Sequence, residues 1–128
     1  MKKLAFVLCL PFLLASTCEN DDNIDDIDDI VCTTEAKAGL NVTVKDLNTN
    51  QILNEGVIVE ATDGLYVELL ESFFPTQTTF FGAWERTGNY TLTVTKVGYE
   101  NYVSDVITVT RDVCHVIPKQ IEIKLTPQ

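Results

Sequence analysis

From residue 31 onward, apolar and polar residues alternate with period two, the pattern of strands that bury one face. Leu40, Val42 and Val44 point one way, and Asn41, Thr43 and Lys45 the other. The same reading sets Val57, Val59 and Ala61 against Ile58 and Glu60, and Leu65, Val67 and Leu69 against Tyr66 and Glu68. It sets Tyr90, Leu92 and Val94 against Thr91, Thr93 and Thr95, and continues through Ile107 and Val109 and through Ile121, Ile123 and Leu125. Turn residues separate these runs: Asn48-Thr49-Asn50, Asp63-Gly64, Thr87-Gly88-Asn89, Val97-Gly98-Tyr99 and Arg111-Asp112. About seven short strands with turns every 8–12 residues predict an all-β fold, a single antiparallel β-sandwich.

The N-terminal stretch follows a different pattern. Met1-Lys2-Lys3 leads into an apolar run from Leu4 to Ala15 and then Ser16-Thr17-Cys18. A basic start, roughly a dozen apolar residues and small residues before a cleavage point describe a secretory signal, too short for a membrane span of roughly 20. Leu14-Ala15-Ser16-Thr17-Cys18 resembles the lipobox of bacterial lipoproteins, in which the Cys is acylated. That resemblance implies lipidation at Cys18 and attachment to a membrane; an ordinary secreted protein with a free Cys18 is the alternative.

Seven acids follow within eleven residues, Glu19, Asp21, Asp22, Asp25, Asp26, Asp28 and Asp29. Such a block cannot bury enough apolar surface to offset its ordering entropy, so residues 18–30 are expected to form an acidic disordered tether. The block is similar to the acidic export signal that follows the lipidated Cys in surface lipoproteins of the Bacteroidetes. This implies a place on the outer surface, with the periplasmic face or secretion as alternatives. The division expected is signal peptide 1–17, tether 18–30 and β-sandwich 31–128.

The whole chain carries a formal charge of −10; loss of residues 1–17 removes Lys2 and Lys3 and no acid, leaving seven basic against nineteen acidic residues, or −12. Nucleic acid is therefore not an expected partner. Cys32 and Cys114 flank the domain and, in an exported chain, are the natural disulfide pair. Zinc is the competing use, but these two sulfurs and His115, the single histidine, fall short of four ligands.

Gly88-Asn89-Tyr90-Thr91-Leu92-Thr93-Val94-Thr95-Lys96-Val97-Gly98-Tyr99 resembles the Gly-x-Tyr-x-Leu-x-Val-x-x-x-Gly-Tyr signature of carboxypeptidase regulatory-like domains. Leu40 to Asp46 is similar to the opening strand of such modules, and Val109 to Val116 to a secreted bacterial subset. The resemblance covers about residues 38–126 and implies a transthyretin-like sandwich with an accessory or binding role. The zinc peptidase to which such modules are often appended has no counterpart here, so no peptidase activity is carried over.

Catalytic inventory is thin. Ser72, Ser104 and His115 would have to converge from distant strands to form a triad. Glu60, Glu68, Glu71 and Glu85 read as solvated strand or turn positions, not as a glycosidase pair. Neither an enzyme activity, nor a cofactor, nor a metal site is expected.

One segment breaks the alternation: Phe73-Phe74, Phe80-Phe81 and Trp84 lie within twelve residues. Consecutive strand residues face opposite sides, so one ring of each Phe pair is expected to leave the core unless a bulge intervenes. These rings either plug the open end of the sandwich or form a surface patch for a carbohydrate or an envelope protein. The function expected is a non-enzymatic envelope lipoprotein with a binding or accessory module; a purely structural spacer is the alternative, and an accessory of a secreted hydrolase a more distant one.

Overall fold

The computed structural model describes residues 29–128; the signal, Cys18 and nearly all of the acidic stretch lie outside them. The described residues form nine strands and no helix. In chain order they are β1 (Ala38–Asp46), β2 (Ile52–Leu53), β3 (Ile58–Asp63), β4 (Tyr66–Leu69), β5 (Thr79–Trp84), β6 (Gly88–Thr95), β7 (Tyr102–Val103), β8 (Ile107–Val109) and β9 (Lys119–Leu125).

The strands make two sheets. In the first, β1 is central, with β9 along one edge and β5 and β2 following each other along the opposite one. In the second, β4, β3 and β6 are neighbours, and β8 and β7 share the far edge of β6. Leu40, Val42, Val44, Phe80, Ile123 and Leu125 from the first sheet meet Val59, Ala61, Tyr90, Leu92, Val94 and Val109 from the second in one buried core. The fold is thus all-β and sandwich-like, as the alternation predicts.

Three expectations require correction. The sheet system is mixed, not purely antiparallel, because β9 runs parallel to β1 from the Leu40–Lys119 pair to Asp46–Leu125. The described residues hold nine strands where the alternation predicts about seven; β2 and β7 are two-residue pairs with no alternation to read.

The third correction concerns β4, whose faces are inverted relative to the expectation. Leu65, Val67 and Leu69 are exposed, whereas Tyr66 packs against the core. Turn parity is the cause. The two-residue connection Gly64-Leu65 pairs Asp63 with Tyr66, Thr62 with Val67 and Ala61 with Glu68. Directly opposed residues share a face. Because Ala61 faces the core, Glu68 must face inward and Val67 outward, whatever their hydrophobicity.

The cysteines are joined as expected, Cys32 to Cys114 across 82 positions. Capping of the opposite end is polar. Asp46 Oδ1 accepts the backbone N–H groups of Asn48 and Thr49 at 2.7 and 2.9 Å, while its Oδ2 accepts the Tyr99 hydroxyl at 2.8 Å. These hydrogen bonds, the Thr49 N–H foremost, hold the Asp46 carboxyl below its ordinary pKa.

Candidate functional site

Strand β5 decides where the aromatic rings go. Phe80 lies opposite Val42, a core position, and is buried; Phe81 lies opposite Asn41, on the outer face. The Phe80/Phe81 pair therefore splits as alternation requires. Strict alternation would then turn Trp84, three positions on, to the side opposite Phe81. Instead Trp84 sits beside it, ring centroids 6.3 Å apart.

The departure lies at Ala83, whose φ of 53° is in the left-handed region, and Glu85 follows with φ 50°. Such values are uncommon for residues other than glycine and need support from the surroundings. Glu68 supplies it on one side, its Oε2 accepting the Ala83 N–H at 2.8 Å and the Tyr66 hydroxyl at 3.0 Å. On the other side the Glu85 N–H donates to the Lys37 carbonyl at 3.0 Å. Trp84 is thus held outward between two anchored, left-handed residues. Gly82, two residues before it, has no room for a side chain: a Cβ there would lie 2.7 Å from Leu70 Cγ.

Phe73, from the β4–β5 connection, completes the cluster. Its ring stacks on Phe81 at 6.1 Å and meets Trp84 edge-on at 6.0 Å. Separations of this order are favourable for aromatic pairs. Phe73 is nevertheless 51% exposed and Trp84 43% exposed. Three mutually packed rings thus form an outward patch, and Phe74, 66% exposed, stands next to them in the chain. The Phe73/Phe74 pair does not split as Phe80/Phe81 does, because neither residue lies in a strand.

The patch adjoins the outer face of the first sheet. Cross-strand register places Phe81, Asn41 and Gln120 in one row, and Thr79, Thr43 and Glu122 in the next. An open groove of about 380 Å³ runs over this face, lined by Thr43, Lys45, Ile52, Gln120 and Glu122 among others. Lys45 Nζ pairs with Glu122 Oε2 at 2.7 Å, and this contact lowers the Glu122 pKa.

The serines do not meet the histidine. Ser104 Oγ accepts the Leu92 N–H and donates to the Asp105 carbonyl, and Ser72 Oγ donates to the Gln77 carbonyl. His115 is joined instead to Thr33, which the inventory overlooked, and to Glu85, which it weighed only as a solvated carboxylate. Its Nε2 lies 3.0 Å from Thr33 Oγ1 and its Nδ1 2.8 Å from Glu85 Oε1.

Hydroxyl, imidazole and carboxylate in that order resemble an acyl-transfer relay, but the surroundings give these contacts a structural use. Thr33 and His115 each neighbour a half-cystine, so the Cys32–Cys114 bridge brings them together. Glu85 in turn accepts the Lys37 and Val116 N–H groups at 2.8 and 3.3 Å. This carboxylate ties the N-terminal arm, the end of β5 and the β8–β9 connection at one point. The Lys37 N–H is the leading cause of its lowered pKa, and His115 adds to it. The only sequence signal for this clasp was adjacency to the paired cysteines.

Of the carboxylates weighed as a catalytic pair, Glu68 faces inward as a backbone support, Glu85 forms the clasp, and Glu60 and Glu71 belong to neither. Among the described residues, no three His, Cys, Asp or Glu side chains converge to hold a metal ion. The chain matches no model of a known protein family, and no curated protein matches it.

Proposed function

We propose that the chain is a non-enzymatic lipoprotein of the bacterial cell envelope, with Cys18 acylated, residues 18–30 as an acidic spacer and a transthyretin-like, carboxypeptidase regulatory-like sandwich as a binding module. On this reading the protein sits on the outer surface and works through the patch of Phe73, Phe81 and Trp84, with Phe74 at its margin. The observation that carries it is the outward ring cluster itself. An outward-turned Trp buries less apolar area than a core one, and its presentation here requires left-handed backbone at Ala83 and Glu85. Strain of this kind, held by dedicated contacts, is characteristic of contact sites and not of inert linkers.

Lipidation and binding are tested separately. Metabolic labelling with a palmitate analogue should mark the parent and not Cys18→Ala; equal labelling would remove the anchor from the proposal. For binding, a photoreactive phenylalanine analogue at position 73 of the full chain should form adducts in intact cells. The same analogue at Val97, exposed but remote from the rings in sequence, should not. Equal, low adduct formation at both positions would favour the spacer reading. A fluorophosphonate probe should leave Thr33 unmodified; an adduct there would make the Thr33–His115–Glu85 contacts catalytic.

A further inference from the structure

The rings do not stand alone on their face; polar side chains of β1, β5 and β9 continue it. The two outer faces of the sandwich are a natural comparison. On the second sheet the exposed positions include Ile58, Val67, Leu69 and Val103, aliphatic residues with no hydrogen-bonding side chain. On the first sheet the row of Phe81 runs through Asn41, itself buried, to the exposed amide of Gln120, and the next row holds Thr79 and Thr43.

Charge sharpens the contrast. Charges are few in these two rows: Glu71, the antiparallel partner of Phe81, extends the first beyond its ring, and Glu122 in the second is paired with Lys45 at 2.7 Å. The Glu71 carboxylate disfavours an anionic ligand there and is itself an acceptor for a sugar hydroxyl. Adjacent strands are spaced about 4.8 Å apart, so β5, β1 and β9 offer a strip about 10 Å across, with aromatic faces at one side and hydrogen-bonding groups at the other.

We infer that this face takes a neutral glycan chain, one sugar ring packing its C–H face on the Phe73–Phe81–Trp84 cluster while the next sends hydroxyls to Gln120, Thr43 and Thr79. The chemistry is complementary: sugar rings present apolar C–H faces for aromatic contact and uncharged hydroxyls that pair with amides, hydroxyls and a carboxylate. Asn41 serves as a positioning residue, its Nδ2 donating to the Ala38 carbonyl at 3.1 Å and the Lys119 carbonyl at 3.4 Å, which links β1 to the start of β9 under the strip. The inference rests on the proposed binding role of the ring patch and adds the class of ligand.

Trp84 is the single tryptophan of the chain, so its fluorescence reports on this site alone. The test is a titration of the full mature chain, carrying Cys18→Ser to keep it free of acyl groups, with soluble mixed-linkage β-glucan, xylan, galactomannan and dextran. At least one should change Trp84 emission saturably. Phe73→Ala and Gln120→Ala should each weaken that response fivefold or more with little change in thermal midpoint, and Val97→Ala should leave it intact. A flat response to all four, or a response indifferent to Phe73→Ala and Gln120→Ala, overturns the glycan assignment. If cross-linking at position 73 still traps an envelope protein in that case, the binding role stands and only the ligand class falls; if both experiments fail, both fall.

Discussion

Phe81 and Trp84, three residues apart on β5, share one face of the sandwich with ring centroids 6.3 Å apart, although strand alternation would separate them. The left-handed backbone of Ala83, φ 53°, makes the difference, and its side chain is fully buried. Ala83→Gly should be nearly neutral, within about 1 kcal/mol, because relief of the left-handed conformation offsets the lost methyl burial and the added chain entropy. Ala83→Val combines a β-branched residue at positive φ with overpacking and should cost more than about 2 kcal/mol. Chemical denaturation of the two variants checks this; equal costs would mean that the backbone at Ala83 is not constrained as described.

The split of the Phe80/Phe81 pair carries its own expectation. Phe80 is buried opposite Val42, so Phe80→Ala should cost about 3–5 kcal/mol. Phe81 loses only ring contacts with Phe73 and Trp84 and part of its burial, so Phe81→Ala should cost about 1 kcal/mol. A difference under about 2 kcal/mol between the two would place both rings in the core.

The Cys32–Cys114 bridge closes a loop of 82 residues, for which the chain-entropy relation gives about 4–5 kcal/mol, and loss of a native bridge typically costs about 2–5 kcal/mol. Reduction should therefore lower stability by a few kcal/mol and should release Thr33 from His115. Alkylation under native, non-reducing conditions should label neither cysteine, and labelling of both would refute the pairing.

Acid should weaken the two ends of the sandwich. Asp46, Glu85, Asp112 and Glu122 all have folded-state pKa values below their ordinary ones, through the Thr49 N–H, the Lys37 N–H, the His115 N–H and Lys45 respectively. A depressed carboxylate contributes stability that is fully present above its unfolded pKa, about 4, and is lost as pH falls through the folded value. The thermal midpoint should thus drop below about pH 4 from these groups, and Glu85→Gln together with Asp46→Asn should flatten that limb. An unchanged acid limb in the double variant would remove these carboxylates as its source.

Most of the sandwich was legible because period-two alternation is a direct image of one-sided burial, as in Leu40, Val42 and Val44 or Tyr90, Leu92 and Val94. Strand β4 misled for a physical reason. Leu65, Val67 and Leu69 look like a core face, but their orientation is fixed by the parity of the Gly64-Leu65 connection, a constraint that only pairing reveals. The parallel partnership of β9 with β1 is likewise a matter of topology and not of pattern. At the site, alternation correctly separated Phe80 from Phe81. It could not join Trp84 to Phe81, because nothing in the residue Ala83 announces a positive φ. The clasp of Thr33, His115 and Glu85 is assembled from three distant segments and has no local signature beyond its cysteine neighbours.

The aromatic cluster faces water, and the single tryptophan allows that to be measured directly. Acrylamide quenching of Trp84 in the folded, oxidised chain should be well above that of a buried indole, and Phe73→Ala should raise it further by removing a ring packed against it. A Trp84 protected from quencher until the protein unfolds would contradict the account, for the rings would then be a plug of the core and not a surface for a ligand.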